Sequence, residues 1–468
     1  MVPTGKGFAN MSTLRYTKEI DDQLSTDVLV IGGGPAGIAA AIASARNGAK
    51  TMLVEREGYV GGMATSALVG PFMTSYDGLG EVQLIRGIFD ELVTRMEERG
   101  GAIHPSKIGF SSSHAAFITL GHSHVTPFDS DILKIVAEEM LLESGVTLLY
   151  YTQFIDCIMD SDGIDRVVVV KKQGLCAIKA KIYVDCSGDA DVSARAGVPF
   201  ILGGGSLQAI QPATMFFKMD NVDSDRVADA VEKNKHLMRP FRGAFSWTIE
   251  EGRRTGKWSI DRDELGMYET NEKGVFKLNT TRIPQVDPTK SETLTAASIE
   301  GRRQVYEASR FIQEEIPGFE NARVAEVASV IGIRESRHIE GEYVLTKEDI
   351  LQERTFDDDI LLCANSLDYH ANDGGGGEYI PVKRCYGIPY RCLVPKNCTN
   401  LLVAGKTISA TSEAAAAFRV MPPCYGIGEA AGAAAALCVR GGVFPSKLST
   451  DLLRDTLVTQ NVFLDINY

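Results

Sequence analysis

Three observations predict an α/β fold, with a parallel sheet drawn from both ends of the chain and an α+β domain inserted between them. A short apolar run, Val28 to Ile31, leads straight into a glycine turn and an alanine-rich segment. From residue 201 the composition shifts to long charged stretches. In the last third, the apolar run Leu401 to Val403 and an Ala/Gly-rich stretch return the chain to its opening character.

Val28, Leu29, Val30 and Ile31 are continuously apolar, which suits a strand buried on both faces. Gly32, Gly34 and Gly37 follow in G-x-G-x-x-G spacing, with Pro35 and Ala36 between the last two. The first glycine permits the tight turn, the second lets backbone approach a pyrophosphate, and the third lets helix pack on strand. Ile38 to Arg46 reads as a small-residue helix whose N-terminus offers N–H groups and partial positive charge to phosphates. Gly48 stops it. Thr51 to Val54 forms the second strand, ended by Glu55 and Arg56. A carboxylate at that position accepts hydrogen bonds from ribose hydroxyls, which favours FAD or NAD over NADP. The bland alternative is a glycine turn in some other α/β protein.

Further along, Leu84 to Glu98 has helical spacing, and residues 102–130 read as a loop or small subdomain. Asp129 or Ser130 caps a helix running to Ser144, with Gly145 as its stop. Val146 to Tyr150 is a strand. Ile155 to Met159 and Val167 to Val170 form a hairpin across Asp162-Gly163, and Ala177 to Ile182 continues the meander. The strand Tyr183 to Asp185 then runs into Cys186-Ser187-Gly188-Asp189, either a second backbone contact for a cofactor or an ordinary strand–turn–helix. The inserted region opens near the glycines 203–205, holds a helix over Thr295 to Glu315, and carries no recognisable catalytic motif. Its expected role is to shape a substrate cavity against the first domain. Tyr425 to Val439 is a helix preceded by Pro422 and Pro423 and closed by Gly441 and Gly442. The organisation is thus 20–200 and 385–445 for a discontinuous nucleotide domain, 201–384 for the insertion, and 446–468 for a C-terminal segment.

With 468 residues the chain has ample core, and its net charge of −13 without a basic tract speaks against nucleic acid or an anionic membrane as partner. The nine cysteines are scattered and include no C-x-x-C pair, which points to a reducing compartment and away from dithiol reductases. No apolar run is long enough for membrane insertion, and the N-terminus shows no signal core, so a cytoplasmic location is expected. Residues 1–10 read as a loose arm.

Four stretches carry a resemblance: VLVIGGGPAGIAAAIASARNGAKTMLVERE with Gly61-Gly62 after it, VDCSGDADVSARAG, IGIRESRHIEGEYVLTKEDI, and the segment from Tyr386 to Leu437. Together they resemble the bacterial FAD-dependent oxidoreductase family related to the fumarate reductase and succinate dehydrogenase flavoproteins. The resemblance implies a Rossmann-like FAD-binding domain of the glutathione-reductase-type flavoprotein fold, with one non-covalent FAD in an extended pose. It assigns the turn Gly32, Gly34, Pro35, Ala36 and Gly37 to the pyrophosphate and Glu55 to the adenosine ribose, and counts Arg56 among the cofactor-binding residues. Gly61, Gly62 and Met63 would bring backbone to the cofactor, Phe154 would meet adenine, and Gly188 and Asp189 would form the second contact. Gly405, Arg419, Gly426 and Gly428 would face the ribityl chain and flavin, where a helix N-terminus stabilises negative charge on the reduced ring. The sequence departs from the family pattern at Lys406, where arginine is common, and at Ser412, where histidine is common. The 61–70 loop has no histidine or cysteine for a covalent flavin link.

Hydride transfer from an alcohol needs a base, and histidine is the usual one at neutral pH. His370, in an Asp368-x-His370 element, is expected as general base or substrate contact, against a structural role. His338 is a second candidate. Arg334 either contacts substrate or joins Arg337, Glu335 and Glu340 in a buried ion-pair network. Tyr390 and Arg391 are expected near the flavin face, where an arginine clamps a carboxylate or the flavin itself. His122-x-His124 lacks further ligand spacing, so no metal is expected. Gly374 to Gly377 read as a surface loop, with a mobile lid as the alternative. The expected activity is hydride transfer between a small organic substrate (a CH–OH or CH–CH group) and flavin N5. The rivals are an NAD-dependent dehydrogenase and a flavin-binding electron-transfer subunit without a substrate site. No second dinucleotide fingerprint is present, so the electron acceptor is left unassigned, as is assembly into a homo-oligomer.

Overall fold

The computed structural model describes residues 14–118, 123–238, 243–370 and 378–468. Five parallel strands form the central sheet: β1 (Val28–Ile31), β2 (Thr51–Val54), β3 (Thr147–Leu149), β4 (Ile182–Asp185) and β5 (Leu401–Val403). Their spatial order is β5-β4-β1-β2-β3. The strand order therefore reverses at β1, and the crevice outside the carboxyl ends of β1 and β4 is where such sheets bind ligands. Every residue of β1, β2, β4 and β5 is buried, and all but Thr51 and Asp185 are apolar, as a sheet covered on both faces requires.

Helix α1 (Pro35–Arg46) connects β1 to β2. It packs on a long C-terminal helix, α2 (Met421–Gly441), which is buried from Met421 to Cys438. Small residues make that contact. A Cβ on Gly428 would lie 2.1 Å from the Ala36 carbonyl oxygen, and one on Gly432 would lie 2.1 Å from that of Ala40. The two glycines are one turn apart on α2, so the helices meet backbone to backbone. α2 starts four residues earlier than its apolar pattern suggests, because Pro422 and Pro423 sit in its first turn, where their missing N–H groups cost nothing.

The meander pairs Gln153–Asp160, Gly163–Lys171 and Gly174–Lys179. Ile182 does not continue it, since Ile182–Asp185 crosses to the parallel sheet as β4. A further strand, Asp22–Ser25, adds in parallel to the meander edge. The expected helix after the histidine-rich loop spans Ser130–Glu143, and Asp129 caps it by accepting from the amides of Asp131 and Ile132.

Residues 213–331 build a separate core around Phe217, Phe245, Phe276 and Phe319. An antiparallel sheet in the order Gly266–Glu269, Phe276–Asn279, Phe217–Asp220, Arg323–Val327 carries it, with the helix Ser291–Glu315 packed alongside. Leu345, Ile360 to Leu367 and Tyr386 to Val394 instead join the core formed by α1 and α2. Among the described residues no helix is long and apolar enough to cross a membrane.

Candidate functional site

One cleft of about 350 Å³ runs from the carboxyl end of β1 to the inserted sheet. Its outer part is made of backbone. Gly32 has φ +101°, and a Cβ there would lie 2.4 Å from the Cys186 carbonyl oxygen, so the loops after β1 and β4 touch. A Cβ on Gly37 would lie 1.8 Å from the Gly32 carbonyl oxygen, which explains the third glycine as strand–helix packing. Gly62 approaches the Gly34 Cα in the same way, and the Gly61 amide donates to the Gly33 carbonyl at 2.8 Å. Gly32, Gly34, Pro35, Ala36, Gly62, Met63, Phe154, Gly188 and Gly405 all line the cleft. Glu55 lines it too, accepting from the Gly33 amide at 2.6 Å and the Glu57 amide at 2.9 Å. Burial pushes its carboxyl up, and those amides act in the opposite sense. Arg56 stands at the exposed rim beside Glu57.

Both α1 and α2 begin at this cleft, and neither has a side-chain cap on its first turn. The uncapped amides that open α1 suit an anionic group such as a pyrophosphate, while α2, with Pro422 and Pro423 in its first turn, offers the Met421 amide and the positive end of its dipole to an electron-rich ring. A glycine-walled channel with an acid at the end of β2 therefore fits an adenine dinucleotide. Gly426 and Gly428 are not in the cleft wall: a Cβ on Gly426 would lie 2.6 Å from Leu361 Cδ1, and Gly428 serves the α1 contact. Gly37, Gly61 and Asp189 lie just behind the wall rather than in it.

The inner part of the cleft is polar and charged. His370 Nε2 lies 3.2 Å from Asp368 Oδ2, and both residues face the cleft. Burial lowers the imidazole's affinity for a proton, Asp368 opposes that, and Arg334 adds to it. The His370 amide donates to Gln211 Oε1 at 3.4 Å. Gln211 is held in turn through its own amide, which donates to Glu335 Oε2 at 2.9 Å. Arg334 also lines the cleft, donating to the Pro212 carbonyl at 2.6 Å and to Asn279 Oδ1 at 3.2 Å. Arg419 lines it with Nη2 donating to the Asp368 carbonyl at 3.0 Å.

Three sequence candidates fall elsewhere. His338 is buried away from the cleft, with Nε2 3.2 Å from Glu335 Oε1, and Glu335 also accepts from the Ser412 hydroxyl. Burial works to raise the Glu335 carboxyl, yet His338, Ser412 and the Gln211 amide hold it below its ordinary value. Tyr390 is buried and donates to the Pro445 carbonyl at 3.0 Å. Arg391 makes a two-pronged pair with Asp358 at 2.9 and 3.0 Å and stacks over Tyr343. These side chains turn away because Asp359–Cys363 pairs with Tyr386–Pro389, which directs the residues after Pro389 toward the C-terminal segment. Neither residue reaches the cleft.

Of the other histidines, His104 bonds Asp90 and Ser106, His114 the Glu269 carbonyl, and His124 the Pro105 carbonyl. His122, residues 1–10 and Gly374 to Gly377 lie outside the described residues. Sequence reasoning missed Thr214, just before the inserted sheet, and Tyr268 and Asn279 within it, and noted Lys406 only as a departure; all four line the cleft. No spacing signal marks the first three, since they converge only when the insertion folds back.

The whole cleft region falls within residues 27–457, which match the family model described as FAD dependent oxidoreductase. A 3-hydroxybenzoate 6-hydroxylase from Klebsiella oxytoca is 28% identical over 168 residues, 35% of this chain and 40% of that protein. The chain therefore spans less than half the length of that relative. Among solved structures, a p-nitrophenol 4-monooxygenase from Pseudomonas putida is 13% identical, with a TM-score of 0.48 over 95% of this chain and 87% of that one. A geranylgeranyl bacteriochlorophyll reductase-like protein from Thermoplasma acidophilum is 12% identical, with a TM-score of 0.44 over 95% and 94%. With the family model spanning nearly the whole chain and a cleft that fits its cofactor, the protein belongs to the FAD dependent oxidoreductase family and is an enzyme whose cofactor is FAD.

Proposed function

We propose that this enzyme transfers hydride between the flavin and a CH–OH or CH–CH group of a small organic substrate held at the inner end of the cleft. One observation carries the reading: the His370–Asp368 pair opens into the same cleft as the glycine channel. FAD, when bound, supplies the hydride acceptor or donor. The chain supplies the proton chemistry. His370, whose basicity burial depresses, is neutral at neutral pH and accepts a substrate hydroxyl proton. Asp368 orients the ring and steadies the imidazolium that results. Gly32, Gly34, Pro35, Ala36 and Gly62 cradle the pyrophosphate, Glu55 takes the ribose hydroxyls, and Phe154 borders the adenine end. FAD is held without a covalent link.

In this reading residues 20–200 and 385–445, together with the Leu345 and Ile360 to Leu367 stretches that pack on α1 and α2, form the cofactor half, on a glutathione-reductase-type plan related to the fumarate reductase flavoproteins; of the expected insertion 201–384, the part with its own core, 213–331, closes over the substrate. Anaerobic bleaching of the visible flavin band by alcohols, sugars and carboxylic acids tests it. Bleaching by one class identifies the donor. Bleaching by none, with flavin bound, leaves the reductive direction, read by anaerobic reoxidation of chemically reduced flavin with carbonyl or unsaturated acceptors; failure of that too, with no product formed in air, selects an electron-transfer subunit. Oxygen-dependent hydroxylation is a second reading, favoured by the likeness to the 3-hydroxybenzoate hydroxylase. Product formed only in air, with no anaerobic bleaching, would select it.

A further inference from the structure

The inner end of the cleft is walled by three cations, Arg334, Lys406 and Arg419, brought together from segments distant in sequence. Their hydrogen-bond partners are mostly uncharged. Arg334 donates to a carbonyl and to the Asn279 amide oxygen, and among the described residues no carboxylate lies within ion-pair distance of it. Lys406 Nζ donates to the Ile333 carbonyl at 3.1 Å and stands 3.8 Å from Asp189 Oδ1. Arg419 Nη2 lies 3.8 Å from Asp368 Oδ2, and its Nε is buried without a hydrogen-bond partner among the described residues.

The carboxylates nearby are engaged. Asp368 serves His370, Asp189 stands beside Lys406, and Glu335 is bonded to His338, Ser412 and the Gln211 amide. Two further guanidinium groups, Arg262 and Arg282, act on Arg334 from behind the wall. Burial works against the charge on Arg334, as does repulsion from Arg262, Arg419 and Arg282, and Asp368 opposes them only in part. Cations withdrawn from water are stabilised by an anion with matching hydrogen-bond geometry, and the planar guanidinium fork matches a carboxylate. Phe216, Val330 and Met73 line the adjoining wall and would cover a hydrocarbon body.

We propose that the substrate is an organic acid whose carboxylate binds between Arg334 and Arg419, its reacting carbon turned toward the outer cleft and its proton within reach of His370. The proposal rests on the reading of the site given under Proposed function and narrows it. A neutral sugar or alcohol would leave Arg334 with only the more distant charge of Asp368 to offset its own.

The test uses FAD-loaded protein at constant ionic strength. Acetate, benzoate, phenylacetate and succinate are titrated by calorimetry, each against its neutral amide. At least one acid should bind about tenfold or more tighter than its amide, the ratio one charge-assisted contact commands. Arg334→Met and Arg419→Met should each lower that affinity about tenfold, Arg334→Lys less, because it keeps the charge and loses the fork. Arg323→Met, in an exposed ion pair outside the cleft, should change nothing. Amides binding as well as acids, no acid binding at all, or undiminished binding in both methionine variants would each overturn the proposal. Should the variants fail to fold, the acid-to-amide ratio of the unaltered protein decides alone. A flavin that some neutral donor bleaches, in a protein without acid preference, rejects this inference and leaves hydride transfer standing. Tight acid binding with neither bleaching by any donor nor reoxidation of the reduced flavin by any organic acceptor does the reverse.

Discussion

The two ends of the cleft are built in opposite ways. At the outer end the wall is backbone, and the defining residues are those with no side chain: Gly32, Gly34 and Gly62, with Gly37 behind them. At the inner end the wall is long charged side chains, Arg334, Lys406 and Arg419, with the His370–Asp368 pair among them. The outer end is rigid because atoms are already at contact, so its chemistry is geometric. The inner end is electrostatic, since buried charges there respond to one another and to what binds. A cofactor that stays needs the first kind of surface; a substrate that comes and goes, and a proton that moves, need the second.

The strongest way to break this contrast is at the outer end. Gly37→Val would force side-chain atoms onto the Gly32 carbonyl, 1.8 Å from where its Cβ must sit. The expected loss is about 3 kcal/mol of stability with loss of bound flavin, read from thermal melts and the flavin-to-protein absorbance ratio. If the variant keeps its flavin, the packing account of that glycine fails.

At the inner end, His370→Ala should lower kcat about a hundredfold or more while flavin content stays at the level of the unaltered protein. Unchanged kcat would remove His370 from the proton chemistry. Its pH profile adds a check: the depressed imidazole predicts that activity falls only on the acid side, below the ordinary histidine range.

Lys277 lies on the seam between the two halves, and its ammonium donates to Ser130 Oγ at 3.0 Å and rests 3.9 Å over the Phe128 ring. Burial, then Lys218, pushes it down from 10.5 to about 7. Over that interval the unfolded chain binds the proton and the folded chain does not, so this group makes stability rise as pH rises from 7 to 10.5. Lys277→Met should remove the slope and raise the melting temperature at neutral pH, the relieved cost of burying the ammonium outweighing the lost Ser130 bond and Phe128 contact. Melting curves across pH would show it, and an unaltered slope would assign the dependence to other groups.

The smallest effect is expected at Arg391, bound to Asp358 outside the cleft. Arg391→Met should leave kcat and KM within about twofold and cost about 1 kcal/mol or less, as partly exposed pairs do. A large rise in KM would mean that this arginine reaches substrate after all.

The outer end was legible in the sequence because its parts are close along the chain. The run from Val28 to Glu55 contains strand, turn, helix, strand and acid, and each is dictated by residues a few positions away. Asp129 as a cap and Gly442 as a stop, with φ +61°, are equally local. Errors came where a neighbour in space decided the outcome. Ile182 leaves the meander because β1 offers it a parallel partner. Gly426 and Gly428, read as cofactor contacts, are consumed by Leu361 and Ala36. Tyr390 and Arg391, close in sequence to the expected flavin face, are carried away by the pairing of Asp359–Cys363 with Tyr386–Pro389.

By itself, then, the sequence determined the parallel sheet, the glycine turn and the class of cofactor, since short-range sterics and backbone hydrogen bonding suffice for each. Only the tertiary structure decided which charges share the inner cleft. Thr214 and Asn279, Arg334, His370, Lys406 and Arg419 have no common period or spacing; folding the insertion back onto the sheet is what sets them around one cavity. Long-range packing, which no local pattern encodes, selects the residues that meet the substrate.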